Sequence, residues 1–408
     1  MHWIYLDNNA TTQPAPPVLD AMQDVYENLW ANPSSVHRFG QSVRQRLELA
    51  RSSVAQLIQC RPRDVVFTSG GTESDNYALH GVLDVDAPRV LITTPIEHSA
   101  IREPTDELAQ TGVNVVKLPV DRDGRVDPQS LRDALAEHAV AAGAASVTLV
   151  SIHWANNETG VIEPIAELAQ IVDAFRSEHT DRRVLFHSDA TQAVGKLAVD
   201  VSGVPLDLLT MSAHKFHGPK GVGVLYLRRN VRLKRMIRGG PQESDRRGGT
   251  ENTAAIVGMG VAAELARQFL ADAPAIEKLR ALRDQFEQAI CAQLPDTVVH
   301  SNSPANRARP DEGRLWNTSN LGFARLEAEA ILLGLSERGL CASAGAACSS
   351  GSLEPSPVLL AMSIPEPIAH GSVRFSLSRF TTQADIDAAI KIVPEVVRRV
   401  GRTMPVPA

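Results

Sequence analysis

The hydrophobic and polar positions of this chain follow two alternating patterns over its first two thirds. Short runs that are apolar on both faces predict buried strands at 65–68, 90–93, 115–118, 147–152, 184–186 and 208–211. Apolar residues recur at helical spacing over 36–59, ahead of the first of these strands, and again between later strands, as from Ile165 to Phe175. Strands buried on both faces and separated by helices predict an α/β fold with a mostly parallel sheet covered on each side.

Beyond about residue 260 the pattern changes. A helical run at 262–294 is followed by shorter strands, a polar insertion at 301–313, a helix at 327–338 and closing helices from Gln383. The chain has 408 residues, and single hydrophobic cores stop growing near ~250 to 300 residues. We therefore expect a large domain over 14–260 and a smaller α+β domain formed by 1–13 and 261–408.

Polar residues follow the ends of five of the predicted strands; they are Thr72, His98, Asn157, Asp189 and His214. Because ligands of parallel sheets bind at the carboxyl ends of strands, we expect these side chains to share one site. Gly70 and Gly71 precede Thr72 at the predicted start of a helix. Free N–H groups and the positive end of the helix dipole make such a start a candidate anion site.

Lys215 lies between the predicted strand at 208–211 and a second apolar run at 222–227. Burial disfavours the ammonium form, and a partly neutral lysine is nucleophilic, as a Schiff-base lysine must be. On this segment alone, a surface-turn lysine is an equally good interpretation. Asp189 and Gln192 favour the Schiff base, because a carboxylate just beyond a buried strand is suited to pair with the protonated nitrogen of a pyridoxal ring.

Charge and composition argue against several other classes of protein. Lysine and arginine number 41 and aspartate and glutamate 47, for a net charge of −6, so no overall basic field points to nucleic acid or an anionic membrane. The apolar stretch at 139–155 is interrupted by polar residues and is shorter than the ~20 residues of a spanning helix. No signal peptide is evident, so we expect a cytoplasmic location and small-molecule ligands.

The four cysteines are Cys60, Cys291, Cys341 and Cys348. They include no CxxC pair, so we expect neither a structural metal nor a disulfide framework. The first three are interpreted as small buried residues. Cys348 lies within CASAGAACSSGS at 341–352, and such a run of small residues is typical of a mobile loop.

Ten segments in series resemble one enzyme family. They are YLDNNATT, NPSSVHRFG, FTSGGTESDN, IEHSA, WANNETGVI, HSDATQAVGK, SAHKFHGPKGVGVLYLRR, RRGGTEN, the Cys348 loop with GSLEPS, and HGSVRFSLSRFTT. Together they span nearly the whole chain and are similar to cysteine desulfurases of the NifS/IscS type, in the class-V aminotransferase family. The resemblance implies the fold-type I pyridoxal-phosphate architecture, a homodimer, and removal of sulfur from L-cysteine to leave L-alanine.

The resemblance also assigns roles around the cofactor, pyridoxal 5′-phosphate. Lys215 would hold it as a Schiff base and then move the Cα proton of the substrate, while His98 would stack on the ring and handle protons. Asp189 would pair with the pyridine nitrogen, and Gln192 would bond the ring hydroxyl. The phosphate would be held by Gly71, Thr72, Ser212, His214 and the partner subunit's Thr250.

Further roles concern the substrate and its sulfur. Arg374 would clamp the substrate carboxylate in bidentate fashion, in preference to the nearby Arg379, and Asn157 would assist near substrate and ring. Cys348 would be the nucleophile that takes the sulfur as a persulfide, with Cys341 as its rival. The long loop followed by GSLEPS resembles the group that delivers sulfur to an iron–sulfur scaffold protein, in which Cys348 can also approach the nascent cluster.

One segment departs from the family pattern. It reads GGPQESDRRGGTEN where the family has close to GGHQERGRRAGTEN, so Pro241 replaces a histidine and Ser244 and Asp245 replace an Arg-Gly pair. Losing a cation and gaining a carboxylate is expected to weaken the attraction for anions there. Two other functions stay open: another enzyme of this fold, such as a selenocysteine lyase, an aminotransferase or an epimerase, and a non-catalytic assembly partner.

Overall fold

A computed structural model describes residues 3–309, 312–344 and 354–403. Its strands are β1 Ile4–Tyr5, β2 Val65–Thr68, β3 Arg89–Thr93, β4 Asn114–Lys117, β5 Val147–Ser151, β6 Arg183–Asp189, β7 Leu208–Ser212, β8 Gly223–Leu227, β9 Thr297–Val299, β10 Thr318–Phe323, β11 Leu340–Cys341, β12 Ser343–Ala344 and β13 Ser372–Ser376. Its helices are α1 Pro16–Asn28, α2 Arg38–Leu57, α3 Gly71–Leu83, α4 Ser99–Gln110, α5 Pro128–Ala134, α6 Ile165–Glu178, α7 Gln242–Asp245, α8 Thr253–Leu270, α9 Ala273–Gln293, α10 Pro304–Arg307, α11 Ala328–Glu337, α12 Pro357–Ala361, α13 Glu366–Ala369 and α14 Gln383–Thr403.

Seven strands form the central sheet, in the order β2-β8-β7-β6-β5-β3-β4. The five strands from β7 to β4 are mutually parallel, and β8 runs antiparallel to both of its neighbours. This confirms the predicted α/β fold with a mostly parallel sheet. The strand β4 is an edge strand and half exposed, so the expectation that it is buried on both faces was wrong.

Alternate residues of these strands enter two different cores. In β3, Val90 and Ile92 pack into a core that is shared with helices α2, α6 and α8. Leu91 points the other way, into a core that contains residues of α3 and α4. This two-residue alternation of a pleated strand explains why an uninterrupted apolar run is needed to cover the sheet on both faces.

A second, smaller sheet is antiparallel and has the order β12-β13-β10-β9. Its core is shared with helices α9, α11 and α14 and with β1 near the N-terminus. The proposed division into 14–260 and 1–13 with 261–408 stays a prediction. Its border at 260 falls inside α8, whose buried residues through Ala266 pack in the core of the large sheet.

The expected helical run at 262–294 is two helices, which meet at a bend of 84° between α8 and α9. The break has a local cause, since Asp272 caps α9 by accepting a hydrogen bond from the Ala275 N–H, and Pro274 occupies the first turn. Within the described ranges, no single helix is long and apolar enough to cross a membrane. Helices α8 and α9 taken together are long and apolar enough, but by length and composition only.

Candidate active site

The predicted site residues meet in a cavity of ≈ 490 Å³ at the carboxyl edge of the large sheet. Ten of the expected residues line it: Gly71, Thr72, His98, Asn157, Asp189, Gln192, Ser212, His214, Lys215 and Arg374. Thr250 is exposed and does not line this cavity in the single chain. Cys348 lies outside the described residues. The sequence motifs that placed polar residues after strand ends therefore describe one pocket.

Lys215 is brought to the pocket by the turn between two fully buried strands. Strand β7 ends at Ser212, and a single 3₁₀ turn carries the lysine into the cavity before β8 returns at Gly223. A side chain at Gly223 would approach the backbone of Gly70 to 2.5 Å, so only glycine allows β8 to pass the turn that precedes α3. The same close packing holds the lysine turn beside the start of α3.

The backbone of the N-terminal segment fixes the Lys215 ammonium group. Its Nζ donates to the carbonyl oxygens of Asn9 and Ala10 at 2.7 and 2.8 Å. Gln192 Nε2 donates to the same Asn9 oxygen at 2.9 Å. Asn9 is itself held by its side chain, which donates to Asn157 O at 3.1 Å and to Thr318 Oγ1 at 2.9 Å. Asn9 is therefore a structural hub that links both sheets at the pocket.

Carboxylates form the acidic part of the pocket wall. Asp189 ends β6, is 8% exposed, and accepts a hydrogen bond from the Thr191 N–H at 2.8 Å. Behind it lies Asp75, which is fully buried. Burial, and then the charge of Asp189, raise the pKa of Asp75 well above its usual value. His187 is also buried, and burial lowers its pKa to about 4, so this histidine adds no positive charge near Asp189 at neutral pH.

A second buried group lies beside the acidic wall. His153 Nδ1 is 3.2 Å from Glu97 Oε1, and its Nε2 is 3.9 Å from Glu163 Oε1. Burial alone lowers the pKa of His153, but the charge of Glu97, its hydrogen bond and the charge of Glu163 raise it to about 9. Burial raises the pKa of Glu163 to about 7, against the opposing effect of His153. His153 is thus a cation held between two carboxyl groups.

Two histidines that line the cavity differ in their fixed contacts. His98 caps α4, and its Nδ1 accepts a hydrogen bond from the Ala100 N–H at 3.1 Å. In the neutral ring, the proton then lies on Nε2. His214 Nδ1 is 3.1 Å from Thr11 Oγ1. Burial, and then the charge of Lys215, lower the pKa of His214 to about 3, so its ring is neutral over the physiological range.

The start of α3 gives the pocket an anion-binding end. Gly71 and Thr72 are the first residues of this 13-residue helix, whose first-turn N–H groups face the cavity edge. Thr191 also lines the cavity, and its buried Oγ1 makes no hydrogen bond to any residue that the structure describes. A buried hydroxyl without a partner is costly unless a ligand satisfies it. The helix start and this hydroxyl fit a phosphate group.

Arg374 closes the other end of the pocket and comes from the small sheet. It is 1% exposed, and its two terminal nitrogens donate to Asp7 Oδ1 at 2.8 Å and to Asn157 O at 2.9 Å. Its Nε is buried and makes no hydrogen bond within the described part of the chain. A rigid guanidinium with an unused donor suits a carboxylate. The pocket therefore presents a carboxylate-binding end opposite a phosphate-binding end.

These features fit pyridoxal phosphate by shape and chemistry. The cavity offers a primary amine, a carboxylate, a helix start with an unpartnered hydroxyl, and an arginine. Those groups suit an aldehyde, a pyridinium nitrogen, a phosphate and a substrate carboxylate. Which residue serves which group is taken up as a proposal below.

Sequence reasoning missed several residues that organise the pocket. Asn9, Lys196, Glu97 and His153 received no role, although the first three lie in or beside segments already quoted as family motifs. Their importance depends on contacts across long separations in sequence, such as Asn9 with Thr318. Only the four-residue spacing of Gln192 and Lys196 was a local signal that these two side chains lie together.

The segment at 239–252, which departs from the family pattern, does not enter the pocket. Pro241, Ser244 and Asp245 are exposed, and none of them lines the cavity in the described chain. Asp245 is 3.2 Å from Arg235, so its added charge has a local partner. Glu243, by contrast, is buried against Arg51 at 2.7 Å. The expected weakening of anion attraction therefore finds no direct contact with the pocket of the same chain.

Comparisons with known proteins agree with this geometry. The family model described as Aminotransferase class-V matches residues 4–389. Cysteine desulfurase NifS of Azotobacter vinelandii is 45% identical over 404 residues, which are 98% of this chain and 94% of that protein. A solved structure titled NIFS-like protein has a TM-score of 0.85 and 32% identity, and the match covers 98% of this chain and 100% of that one.

A further solved structure, SspA in complex with cysteine, has a TM-score of 0.75 and 31% identity, with 93% of this chain and 99% of that chain covered. The matches extend over nearly the full length and include both sheets. This agreement in sequence and fold confirms the resemblance that the motifs suggested. The chain therefore belongs to the class-V aminotransferase family and, within it, to the cysteine desulfurases.

Proposed function

We propose that this enzyme uses pyridoxal phosphate to take sulfur from L-cysteine, releases L-alanine, and carries the sulfur as a persulfide on Cys348. The observation that carries the proposal is the lysine amine of Lys215 in one cavity with the carboxylate of Asp189 and the guanidinium of Arg374. That set supplies an anchor for the cofactor, a partner for its ring nitrogen and a clamp for an amino-acid carboxylate.

Lys215 would hold the cofactor, which when bound supplies an electron sink for charge that develops on the substrate Cα. The carbonyl oxygens of Asn9 and Ala10 orient the Lys215 Nζ toward the cavity. Once the lysine is displaced by the substrate amine, it is the group suited to accept the Cα proton. Asp189 would pair with the ring nitrogen and favour its protonated form, and His98 would stack on the ring and take part in proton transfer.

The phosphate would lie at the start of α3, with Gly71 and Thr72 donating N–H groups. Ser212 and His214 complete this end from the turn after β7. Because His214 is neutral, it contributes a hydrogen bond rather than a charge. Gln192 would donate to the ring hydroxyl, and Asn157 would contact both ring and substrate.

Cysteine fits the carboxylate end of the pocket through Arg374. The arginine is held in place by Asp7 and by the Asn157 carbonyl oxygen, so it needs no reorganisation to receive a carboxylate. With the carboxylate bound there, the amino group would be left for the cofactor and the thiol for a nucleophile such as Cys348.

Cys348 is the proposed nucleophile, and the chain on either side of its segment lies near the pocket. Ser343 is paired in register with Arg374 in the small sheet. Ser356 Oγ donates to Glu158 Oε2 at 2.5 Å, and Glu158 lines the cavity. Cys348 is four positions after Ala344, and such a stretch spans at most about 14 Å. Attack by the Cys348 thiolate on the substrate sulfur would form a sulfur–sulfur bond and break the carbon–sulfur bond. The electron pair of the broken bond would remain with the substrate carbon, which takes up a proton on the way to alanine.

Cys341, the rival thiol, is less suited to this role. It lies on β11, paired with Tyr5 of β1, and does not line the cavity. Burial, and then the charge of Asp7, raise the pKa of Cys341. A thiol whose pKa is raised is less ionised at neutral pH and therefore a poorer nucleophile.

The proposal includes a homodimer in which the partner subunit's Thr250 completes the phosphate site. Two observations support this assembly. Thr250 is exposed and only three residues from Arg247, which pairs with Glu73 of α3 at 2.9 Å. Large apolar side chains are exposed within α1 and just after it: Tyr26 at 66%, Trp30 at 70% and Val36 at 93%. Exposed aromatic groups of this size are characteristic of subunit contacts.

An iron–sulfur scaffold protein is the proposed acceptor of the persulfide sulfur. The basis is the resemblance of the Cys348 segment, followed by GSLEPS, to the group of enzymes that delivers sulfur to such a scaffold. The cluster iron would be substrate of that assembly and not a resident metal of this chain.

The experiment that tests the proposal compares alanine and sulfide release from L-cysteine by wild type, Lys215→Ala and Cys348→Ala. We expect both variants to lose turnover, while Cys348→Ala keeps the visible absorption of the bound cofactor and Lys215→Ala loses it. Cys341→Ala is the matched control and should retain turnover. Full turnover by Cys348→Ala would instead indicate another lyase or transferase of this fold, and a wild type without cofactor absorption would contradict catalysis altogether.

A further inference from the structure

Lys196 is a buried lysine that the proposed reaction does not use. It is 5% exposed and lies four residues after Gln192, in the turn segment that follows β6. Its Nζ donates to Gln192 Oε1 at 2.6 Å and to the Gln192 backbone oxygen at 3.2 Å. Burying an amine is costly unless its N–H groups are satisfied. The position of Lys196 therefore depends on Gln192, and the side-chain amide of Gln192 is constrained in return.

The side-chain amide of Gln192 has an oxygen and an NH₂ group, and the neighbours of these two groups allow only one orientation of the amide. Oε1 faces the N–H groups of Lys196, while Nε2 donates to the Asn9 carbonyl oxygen at 2.9 Å. If the amide were flipped, its NH₂ would face the lysine donors, and its oxygen would face another oxygen. The two contacts together fix Gln192 with its NH₂ group on the side of Lys215, which donates to the same Asn9 oxygen.

We propose that Lys196 is a positioning residue that holds the Gln192 amide with its NH₂ toward the ring hydroxyl of the cofactor. This role rests on the proposed function, in which Gln192 donates to that hydroxyl. The hydroxyl is ionised or nearly so beside a Schiff base, so it needs a donor and is repelled by an amide oxygen. Lys196 excludes the wrong amide orientation without touching cofactor or substrate.

The charge of Lys196 is not required for this role. Burial, and then the charges of Lys215 and Arg374, lower its pKa well below the usual value. A neutral amine still has two N–H donors for the two Gln192 oxygens. The lowered charge also limits electrostatic repulsion between Lys196 and Lys215, so an orienting donor is tolerated so close to the Schiff-base lysine.

The test is a double-mutant cycle on the holoenzyme with Lys196→Met and Gln192→Ala. Methionine keeps the stem of lysine but has no N–H. The two readouts are the dissociation constant for pyridoxal phosphate and the pH midpoint of the visible absorption band. Lys196→Met alone should weaken cofactor binding about fivefold, the size of one lost hydrogen bond to a buried group, and shift the midpoint. In the Gln192→Ala background it should change either readout less than about twofold, because its target is gone.

Trp316→Phe is the matched control. Trp316 Nε1 donates to the backbone oxygen of Lys196 at 3.0 Å, so the variant disturbs the same place but leaves the Gln192 amide contacts intact. It should leave the dissociation constant within about twofold of wild type. If Lys196→Met does not fold, Lys196→Gln serves in the same cycle, since its donor is one bond shorter and cannot reach Gln192 Oε1 at 2.6 Å.

Additive effects of the two substitutions, or an unchanged Lys196→Met, would overturn the role of Lys196 while leaving the proposed function in place. A wild type that takes up no pyridoxal phosphate would overturn both. The two failures are therefore distinguished by the wild-type absorption alone.

Discussion

Two groups of titratable residues lie at the pocket, and the pKa of a histidine shifts in opposite directions in the two groups. The acidic group contains Asp75, Glu97 and Asp189, with His153 as a cation between Glu97 and Glu163. The basic group contains Lys196, His214, Lys215 and Arg374. In the acidic group, a histidine gains a proton, because its pKa rises to about 9. In the basic group, a histidine loses one, because its pKa falls to about 3.

This contrast shows how one pocket serves both ends of a cofactor. Carboxylates that surround a ring nitrogen favour its protonated form, whereas amines and a guanidinium favour anions. In each group, part of the charge is neutralised. His153 offsets the carboxylates, and the lowered pKa values of His214 and Lys196 remove positive charge from the basic group.

Asp189→Asn removes the charge of the carboxylate that we propose to pair with the ring nitrogen, while keeping the shape of the side chain. The amide oxygen can still accept from the Thr191 N–H. We expect turnover of L-cysteine to fall about 100-fold, since a hydrogen bond to a charged group is worth about 1.5 to 3 kcal/mol. The measurement is steady-state alanine release, with cofactor content determined on the same samples. Turnover within twofold of wild type at full cofactor content would contradict the role of Asp189.

His153→Gln removes the cation from the acidic group. We expect the free energy of unfolding at pH 7 to fall by about 2 kcal/mol, because Glu97 and Glu163 then lack a buried counter-charge and Glu163 must take up a proton. Urea unfolding with matched slopes measures the change.

The pH dependence gives a second readout for the same variant. The pKa of His153 is about 9 in the folded protein and 6.5 as its usual value. The folded state therefore binds this proton more tightly, and the stabilisation is complete below pH 6.5 and lost as the pH rises through 9. Wild type should lose stability over that window, and His153→Gln should lose less. Parallel pH curves for the two proteins would argue against a protonated His153.

Arg374→Lys keeps the charge of the basic group and removes its fork geometry. We expect the KM for L-cysteine to rise about tenfold with a smaller change in kcat, because one of two hydrogen bonds to the carboxylate is lost. Arg379→Lys is the matched control, since Arg379 is half-buried, lies five residues after Arg374 and does not line this cavity. Equal effects of the two substitutions on KM would contradict the assignment of the carboxylate clamp to Arg374.

His214→Gln is expected to have the smallest effect on the pocket. Because burial and Lys215 lower the pKa of His214 to about 3, the ring carries no charge whose loss would matter between pH 5 and 8. Glutamine retains an N–H donor, so we expect cofactor affinity to change less than about threefold. The shape of the pH–activity profile should stay the same. Disappearance of an acid limb from that profile in the variant would show that His214 titrates in the working range.

Much of this arrangement follows from local sequence. The apolar runs of the central strands predicted the large sheet, because a strand covered on both faces must be apolar at every position. The placement of Thr72, His98, Asn157, Asp189 and His214 after strand ends predicted a shared site, because parallel strands end at one edge. The family motifs added Arg374 from the other sheet, which periodicity alone does not connect to this edge.

The tertiary structure alone decided the features that depend on distant partners. Asn9 and Gln192 meet through a contact that spans 183 residues, and the pKa of His153 is raised by Glu97, Glu163 and Asp189, which lie on three different segments. The bend between α8 and α9 and the exposed edge at β4 also lie beyond what apolar spacing indicates. Local sequence predicted the sheet and the family, and it singled out Lys215 as the candidate cofactor lysine. Folding decided which buried groups are charged, because a pKa depends on burial and on neighbours that the linear chain does not place together.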